Sequence, residues 1–206
     1  MNTFDFKHKK ATQALNYFAK KAGGRISRLK AVKLVYFADR YHLRRYGRLV
    51  TGDSYFAFPY GPIPSVTLDI AEDSNDIPEV NYSRGYIKPV SEYDYESIKN
   101  IDTVCFSETD IEALKFAWDS FGSFGDEKGF ELAKLTHEYP EWKRFEAEFK
   151  TDSEKRFEMK LEDFFENPKK LAKKFGQDKF TEDPGLLAFS RDIFKENREV
   201  GELLNA

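Results

Sequence analysis

Asp39 and His42 are the pair whose types and spacing could do chemistry. They stand at positions i and i+3 of the stretch KLVYFADRYHLRRY, which makes them neighbours on a helix surface. A carboxylate beside an imidazole can relay a proton as general base and acid. Other candidates are sparse. Three histidines (His8, His42, His137) and one cysteine, Cys105, are too few and too scattered for a structural zinc site, so no metal is expected. Cys105 sits in an apolar Val-Cys-Phe context, which predicts a buried, inert thiol. His8 stands alone in a basic N-terminal run. The chain has no phosphate-cradling loop and no dinucleotide fingerprint, and no cofactor is expected. This is not a catalytic constellation, and the chain reads as a binding protein rather than an enzyme.

The element that must position Asp39 and His42 is a helix from Ser27 to Tyr46. Ser27 is its expected N-cap, with Ile26 placed to staple onto the first turn. Gly47 stands where a left-handed C-terminal cap belongs. Leu29, Val32, Val35, Tyr36, Leu43 and Tyr46 share one stripe. Lys30, Lys33, Arg40 and Arg44 fall on the other side, so the spacing predicts a core helix with one basic face. Asp39 projects from the apolar stripe, where a charge is costly unless it is paired or hydrogen-bonded. Two readings stand: a structural carboxylate holding an amide, an Arg or a Tyr hydroxyl, or a site residue with a perturbed pKa.

After this helix come Arg48–Val50, read as extended, and the turn Thr51-Gly52-Asp53. Tyr55–Phe58 has strand composition. Pro59-Tyr60-Gly61-Pro62-Ile63-Pro64 is rigid because each proline fixes its own φ and restricts its predecessor. It serves either as a stiff connector or as a binding surface built on Tyr55, Tyr60 and Pro62.

The stretch KLVYFADRYHLRRYGRLVTGDSYFAFPYGPIP resembles the signature of the SocA-like, phage GepA-like Panacea antitoxin family. The residues that carry the likeness are Lys33, Leu34, Tyr36, Ala38, Asp39, His42, Leu43, Tyr46, Gly47, Thr51, Gly52, Asp53, Tyr55, Ala57, Tyr60, Gly61, Pro62 and Pro64. A second feature, Leu-x-His followed by Pro-x-Trp, matches Leu135, His137, Pro140 and Trp142. The resemblance covers roughly the first 150 residues. It implies an antitoxin of a bacterial or phage type II toxin–antitoxin system, neutralising a cognate toxin from an adjacent gene by direct protein–protein binding. Alternatives are an adaptor that delivers the toxin to a cytoplasmic protease, and an enzyme that reverses the toxin's effect through Asp39 and His42. The expected toxin contacts are Tyr36, Arg44, Arg45, Tyr55, Tyr60 and Pro62. Asp39, His42, Gly47, Asp53, Gly61, His137 and Trp142 are expected to be structural. Some relatives carry a fused DNA-binding segment; none is evident here, so DNA contact would need the basic face.

The remaining elements follow in order. Residues 7–22 read as a first helix hairpinned onto the second. Residues 65–72 read as a short helix and 73–82 as a loop. Arg84–Val90 reads as a strand that could pair with Tyr55–Phe58, and Ser91–Asn100 as a surface connector. Ser107 to Asp110 has a capping-box pattern opening a helix with Ile111, Leu114, Ala117, Trp118 and Phe121 on its apolar stripe. Gly122 and Gly125 should end it. A further helix is expected over 126–138, with Phe130, Ala133 and Leu135 inward and Trp142 plugging the core. In the tail, Phe157, Leu161, Phe164 and Phe165 suggest an amphipathic helix, and Asp183-Pro184 opens another.

The expected fold is mainly α with a small β-hairpin or sheet, an α+β chain. It comprises a compact helical domain over 1–150 and a helical extension over 151–206 packing on it. Of 206 residues, 40% are hydrophobic, 20 of them Phe and 11 Tyr, enough for a substantial core. A net charge of −3 argues against a nucleic-acid partner of the simple basic kind. The single cysteine and the absence of an apolar leader fit a cytoplasmic protein without membrane association.

Overall fold

The computed structural model describes residues 6–74, 77–124, 127–151 and 156–204. The second helix, α2 (Arg28–Tyr46), runs through the middle of the molecule. Ser27 caps its start by accepting a hydrogen bond from the Lys30 amide. Gly47 ends it at φ +68°, a region open to glycine at little cost. The basic face of α2 is not a surface. Lys30, Lys33, Arg40 and Arg44 are all buried alongside the apolar stripe, because neighbouring elements also cover this side of the helix. Those four side chains therefore present no basic surface.

α1 (His8–Lys21) precedes α2 and packs on it, with Leu15, Phe18 and Ala19 fully buried. Between them, β1 (Arg25–Ser27) joins a three-stranded antiparallel sheet with β4 (Ile87–Pro89) and β5 (Asp94–Ser97), ordered β1-β5-β4. Two expectations fail here. The 84–90 region pairs with β5, not with Tyr55–Phe58, and the polar 91–100 stretch supplies the central strand. Tyr95 explains the latter: its ring is fully buried and its hydroxyl donates to the Leu15 carbonyl. One buried tyrosine in a polar segment suffices to bring it into the sheet.

The second sheet is a hairpin, β2 (Tyr55–Phe58) and β3 (Gly61–Pro64), extended by β6 (Phe157–Glu158) in the order β3-β2-β6. The proline-rich segment is thus an edge strand, where missing amide donors do least harm. Gly61 at φ +92° makes the turn, and a Cβ there would collide with Thr136 Oγ1. α3 (Ser65–Ala71) follows as expected, while α4 (Val80–Ser83) replaces part of the expected loop.

α5 (Glu108–Phe121) opens on the full capping box, Ser107 and Asp110 each bonding the other's backbone amide. It packs along α2. α6 is shorter than expected, Phe130–Thr136, because Gly129 at φ +88° sets its start; positions 125 and 126 lie outside the described residues. Phe130 points outward, 47% exposed, against expectation. α7 (Pro140–Lys143) and α8 (Glu146–Thr151) complete this part.

The tail does not begin with an amphipathic helix. Phe157 lies in β6, and Leu161–Phe165 forms a 3₁₀ turn that buries Phe164 and Phe165. α9 (Pro184–Leu204) then lies against α2. A Cβ at Gly47 would meet the Ser190 carbonyl at 2.7 Å, so this glycine both caps α2 and seats α9. Among the described residues no helix is long and apolar enough to cross a membrane.

Candidate functional site

α2 carries a row of buried polar side chains, each directed to a different segment. Asp39 is fully buried. Its Oδ1 accepts from the amides of Val50 (2.7 Å) and Thr51 (3.0 Å). Its Oδ2 accepts from the Thr51 hydroxyl and the Tyr55 hydroxyl, the latter at 2.8 Å. Burial pushes its pKa up to about 6, while these donors favour the charged form. The chain after α2 is thereby fastened to the helix and β2 begins in register. Asp53 repeats the device, accepting from the Ser54, Val66 and Thr67 amides and the Thr67 hydroxyl; it fixes the start of α3.

His42 faces α5. Its Nδ1 lies 2.8 Å from the Arg48 carbonyl, which can only accept, so Nδ1 carries the proton. Nε2 is then the acceptor for the Thr109 hydroxyl at 3.0 Å. Burial, then the Arg48 charge, lower its pKa to about 4. His42 is a neutral connector between the end of α2 and the start of α5. Asp39 and His42 are directed to separate elements and form no acid–base pair.

Tyr36 and Arg40 share Glu141 at the start of α7. The Tyr36 hydroxyl donates at 2.6 Å and Arg40 Nε at 2.8 Å, both to Oε1. The Arg40 guanidinium lies between the rings of Tyr139 (4.5 Å) and Phe180 (4.4 Å). Arg44 faces the tail, donating to Glu182, the Phe164 carbonyl and Asn167. Lys33 donates to the Pro62 carbonyl at 2.7 Å, and burial pushes its pKa well down. His137 stacks on Trp142 at 3.7 Å, and the indole donates to the Phe58 carbonyl.

These contacts correct the expected toxin-facing set. Tyr36, Arg44, Tyr55 and Pro62 are buried, and a buried side chain offers a partner no area. They hold the interior instead. Tyr60 is 61% exposed and stands over Phe130 with ring centroids 6.3 Å apart. Arg45 is partly exposed, stacked on Tyr41 beside Glu112. Glu112 lines a shallow groove of about 420 Å³ on α5 with Glu108, Ile111, Lys115 and Phe116. Sequence reasoning missed Phe130, which reads as a core aromatic until Gly129 turns the helix start outward. It also missed Glu141, whose only signal is its place between Pro140 and Trp142. Cys105 is partly buried, and burial then Asp102 raise its thiol pKa to about 11, so it is no ready nucleophile.

A family model described as "Antitoxin SocA-like, Panacea domain" matches residues 32–143, more than half of the chain. The match opens in α2 and closes at the end of α7, so it includes Asp39, His42, Gly61, Glu141 and Trp142 and leaves out the tail that receives Arg44. No curated protein and no solved structure matches.

Proposed function

The chain belongs to the SocA-like antitoxin family with the Panacea domain, and from that premise we propose that it is the antitoxin of a type II toxin–antitoxin pair, neutralising the toxin of an adjacent gene by direct protein–protein binding. The family match carries this reading. The buried polar row on α2 supports it from the structural side: Asp39, His42, Arg40 and Arg44 spend their hydrogen bonds inside the molecule, which suits a rigid scaffold for an interface. Binding by a rigid surface forfeits little entropy on association.

The contact we propose centres on the exposed Tyr60–Phe130 pair. Each ring neighbours a glycine at positive φ, Gly61 in the hairpin turn and Gly129 at the start of α6. Aromatic anchors of this kind supply most of the energy in many interfaces. Arg45 and the α5 groove offer a second contact. Lys33 lies beneath Gly61, and Arg45 follows it in α2 by roughly 18 Å of helix rise.

Co-expression of the neighbouring gene product with the tagged chain tests the reading. Growth rescue together with a co-purifying complex is expected. Rescue with the toxin degraded would favour delivery to a protease, and rescue with the toxin intact and unbound would favour an enzymatic antidote.

A further inference from the structure

α9 buries one side and leaves a second apolar seam open. Leu187, Ser190 and Phe194 face the body, with Ser190 and Phe194 almost fully buried. Beside them runs Leu186, Phe189, Ile193, Glu196, Val200 and Leu203, a spacing of three and four residues sustained across the helix. That is the seam of a helix that packs against another helix. Leu186 and Ile193 are half-buried at its inner edge. Phe189 is 62% exposed, Val200 54% and Leu203 78%. Three large apolar side chains on one helical line go beyond the scattered exposure normal for a surface.

The charges around the seam say what fits it. Two of the cations of α9 are turned elsewhere, Arg198 pairing with Glu162 and Glu202 and Arg191 lying over Phe165, while Lys195 borders the outer flank, where it pairs with Asp192. Glu196 within the seam and Glu199 on its outer flank are exposed. The face is therefore apolar and, with Asp192, Glu196 and Glu199 against Lys195, acidic on balance. A second copy packed in parallel would oppose Glu196 to Glu196, a like-charge contact, and one packed antiparallel about the middle of the stripe would press Glu196 against Ile193 with no cation to pair it. A membrane surface carries negative charge and attracts lysines and arginines, not these carboxylates.

We propose that the α9 seam docks a basic amphipathic helix of a partner protein. Phe189, Val200 and Leu203 fill the apolar spacing of that helix, and Glu196 and Glu199 pair with its Lys or Arg residues. This goes beyond the antitoxin reading and stands whether or not the partner is a toxin.

The test uses the full chain and two synthetic three-heptad helical peptides with Leu along one seam, flanked by Lys in one peptide and Glu in the other. Fluorescence anisotropy should show binding of the Lys peptide, weakening with added salt, and at least tenfold weaker binding of the Glu peptide. Phe189→Glu with Leu203→Glu, both surface changes whose fold is checked by circular dichroism, should reduce Lys-peptide binding about 30-fold. Glu196→Lys with Glu199→Lys should reverse the preference. No binding of the Lys peptide, binding indifferent to the Phe189/Leu203 variant, or a concentration-dependent dimer lost in that variant would each overturn the proposal. None of these outcomes depends on the neighbouring gene product, so failure here leaves the antitoxin reading to its own test.

Discussion

Arg40 Nε donates a 2.8 Å hydrogen bond to Glu141 Oε1, and both side chains are fully buried although 101 residues separate them in the chain. The pair joins the middle of α2 to the start of α7. Tyr36 donates to the same oxygen, so Glu141 gathers two donors from successive turns of one helix. Breaking a buried pair leaves an uncompensated charge, at a cost of about 3–5 kcal/mol. Glu141→Ala is expected to lower unfolding stability by that amount in urea titrations. Arg40→Met combined with Glu141→Leu should cost much less than the sum of the two single changes. A Glu141→Ala loss below about 1 kcal/mol would mean that the pair does not organise the core.

Asp39 decides between scaffold and catalyst. Asn in its place presents an amide nitrogen where the Thr51 and Tyr55 hydroxyls now donate. Asp39→Asn should therefore destabilise by about 2–3 kcal/mol, while the folded fraction, held at low temperature, binds its partner with wild-type affinity. An antidote enzyme acting through Asp39 would give the reverse: wild-type stability and binding, with protection lost.

His42 gives the fold a pH dependence with a defined sign. Its pKa falls from about 6.5 in the unfolded chain to about 4 when folded. The unfolded state therefore binds the proton first as pH drops. The stability that His42 contributes is complete above pH 6.5 and is lost as pH falls towards 4. Asp39, pushed up to about 6, acts with opposite sign between pH 4 and 6. A comparison with His42→Gln isolates the histidine: the stability gap between wild type and variant should narrow by about 2 kcal/mol from pH 7 to pH 5. A gap independent of pH would show that His42 titrates normally in the folded protein.

Tyr60 and Phe130 touch each other at the surface, so truncating them should leave stability almost unchanged, within about 0.5 kcal/mol each. If they anchor the toxin, Tyr60→Ala or Phe130→Ala will weaken the complex by about 2 kcal/mol, roughly 30-fold, measured by calorimetry. Affinity unchanged in both variants would move the interface elsewhere, with Arg45 and the α5 groove next to be probed.

Local signals in the sequence were enough to place α1, α2, α5 and the start of α9, because Ser27, Gly47, Ser107 and Pro184 act through their own backbone neighbours. The hydrogen-bonded reading of Asp39 follows from the same kind of evidence, a charge on an apolar stripe. What escaped depends on distant partners. The pairing of β4 with β5 rests on burial of Tyr95 beneath α1, and the burial of Arg40 and Arg44 on α2 rests on Glu141 and Glu182 arriving from far along the chain. Periodicity reports which side of a helix is apolar; it does not report whether the polar side will also be covered. Arg44 was expected at the surface for that reason; Tyr36 and Tyr55 were expected there as aromatic anchors, although Tyr36 lies on the apolar stripe, and Phe130 was expected in the core from its place in the helical pattern.

Direct neutralisation is tested most closely with purified components and no protease present. The neighbouring gene product is assayed for its inhibitory activity while this chain is titrated in. The account predicts loss of activity with a sharp end point at a fixed stoichiometry, together with a complex that survives gel filtration. Undiminished toxin activity at saturating antitoxin, with no complex formed, would contradict it.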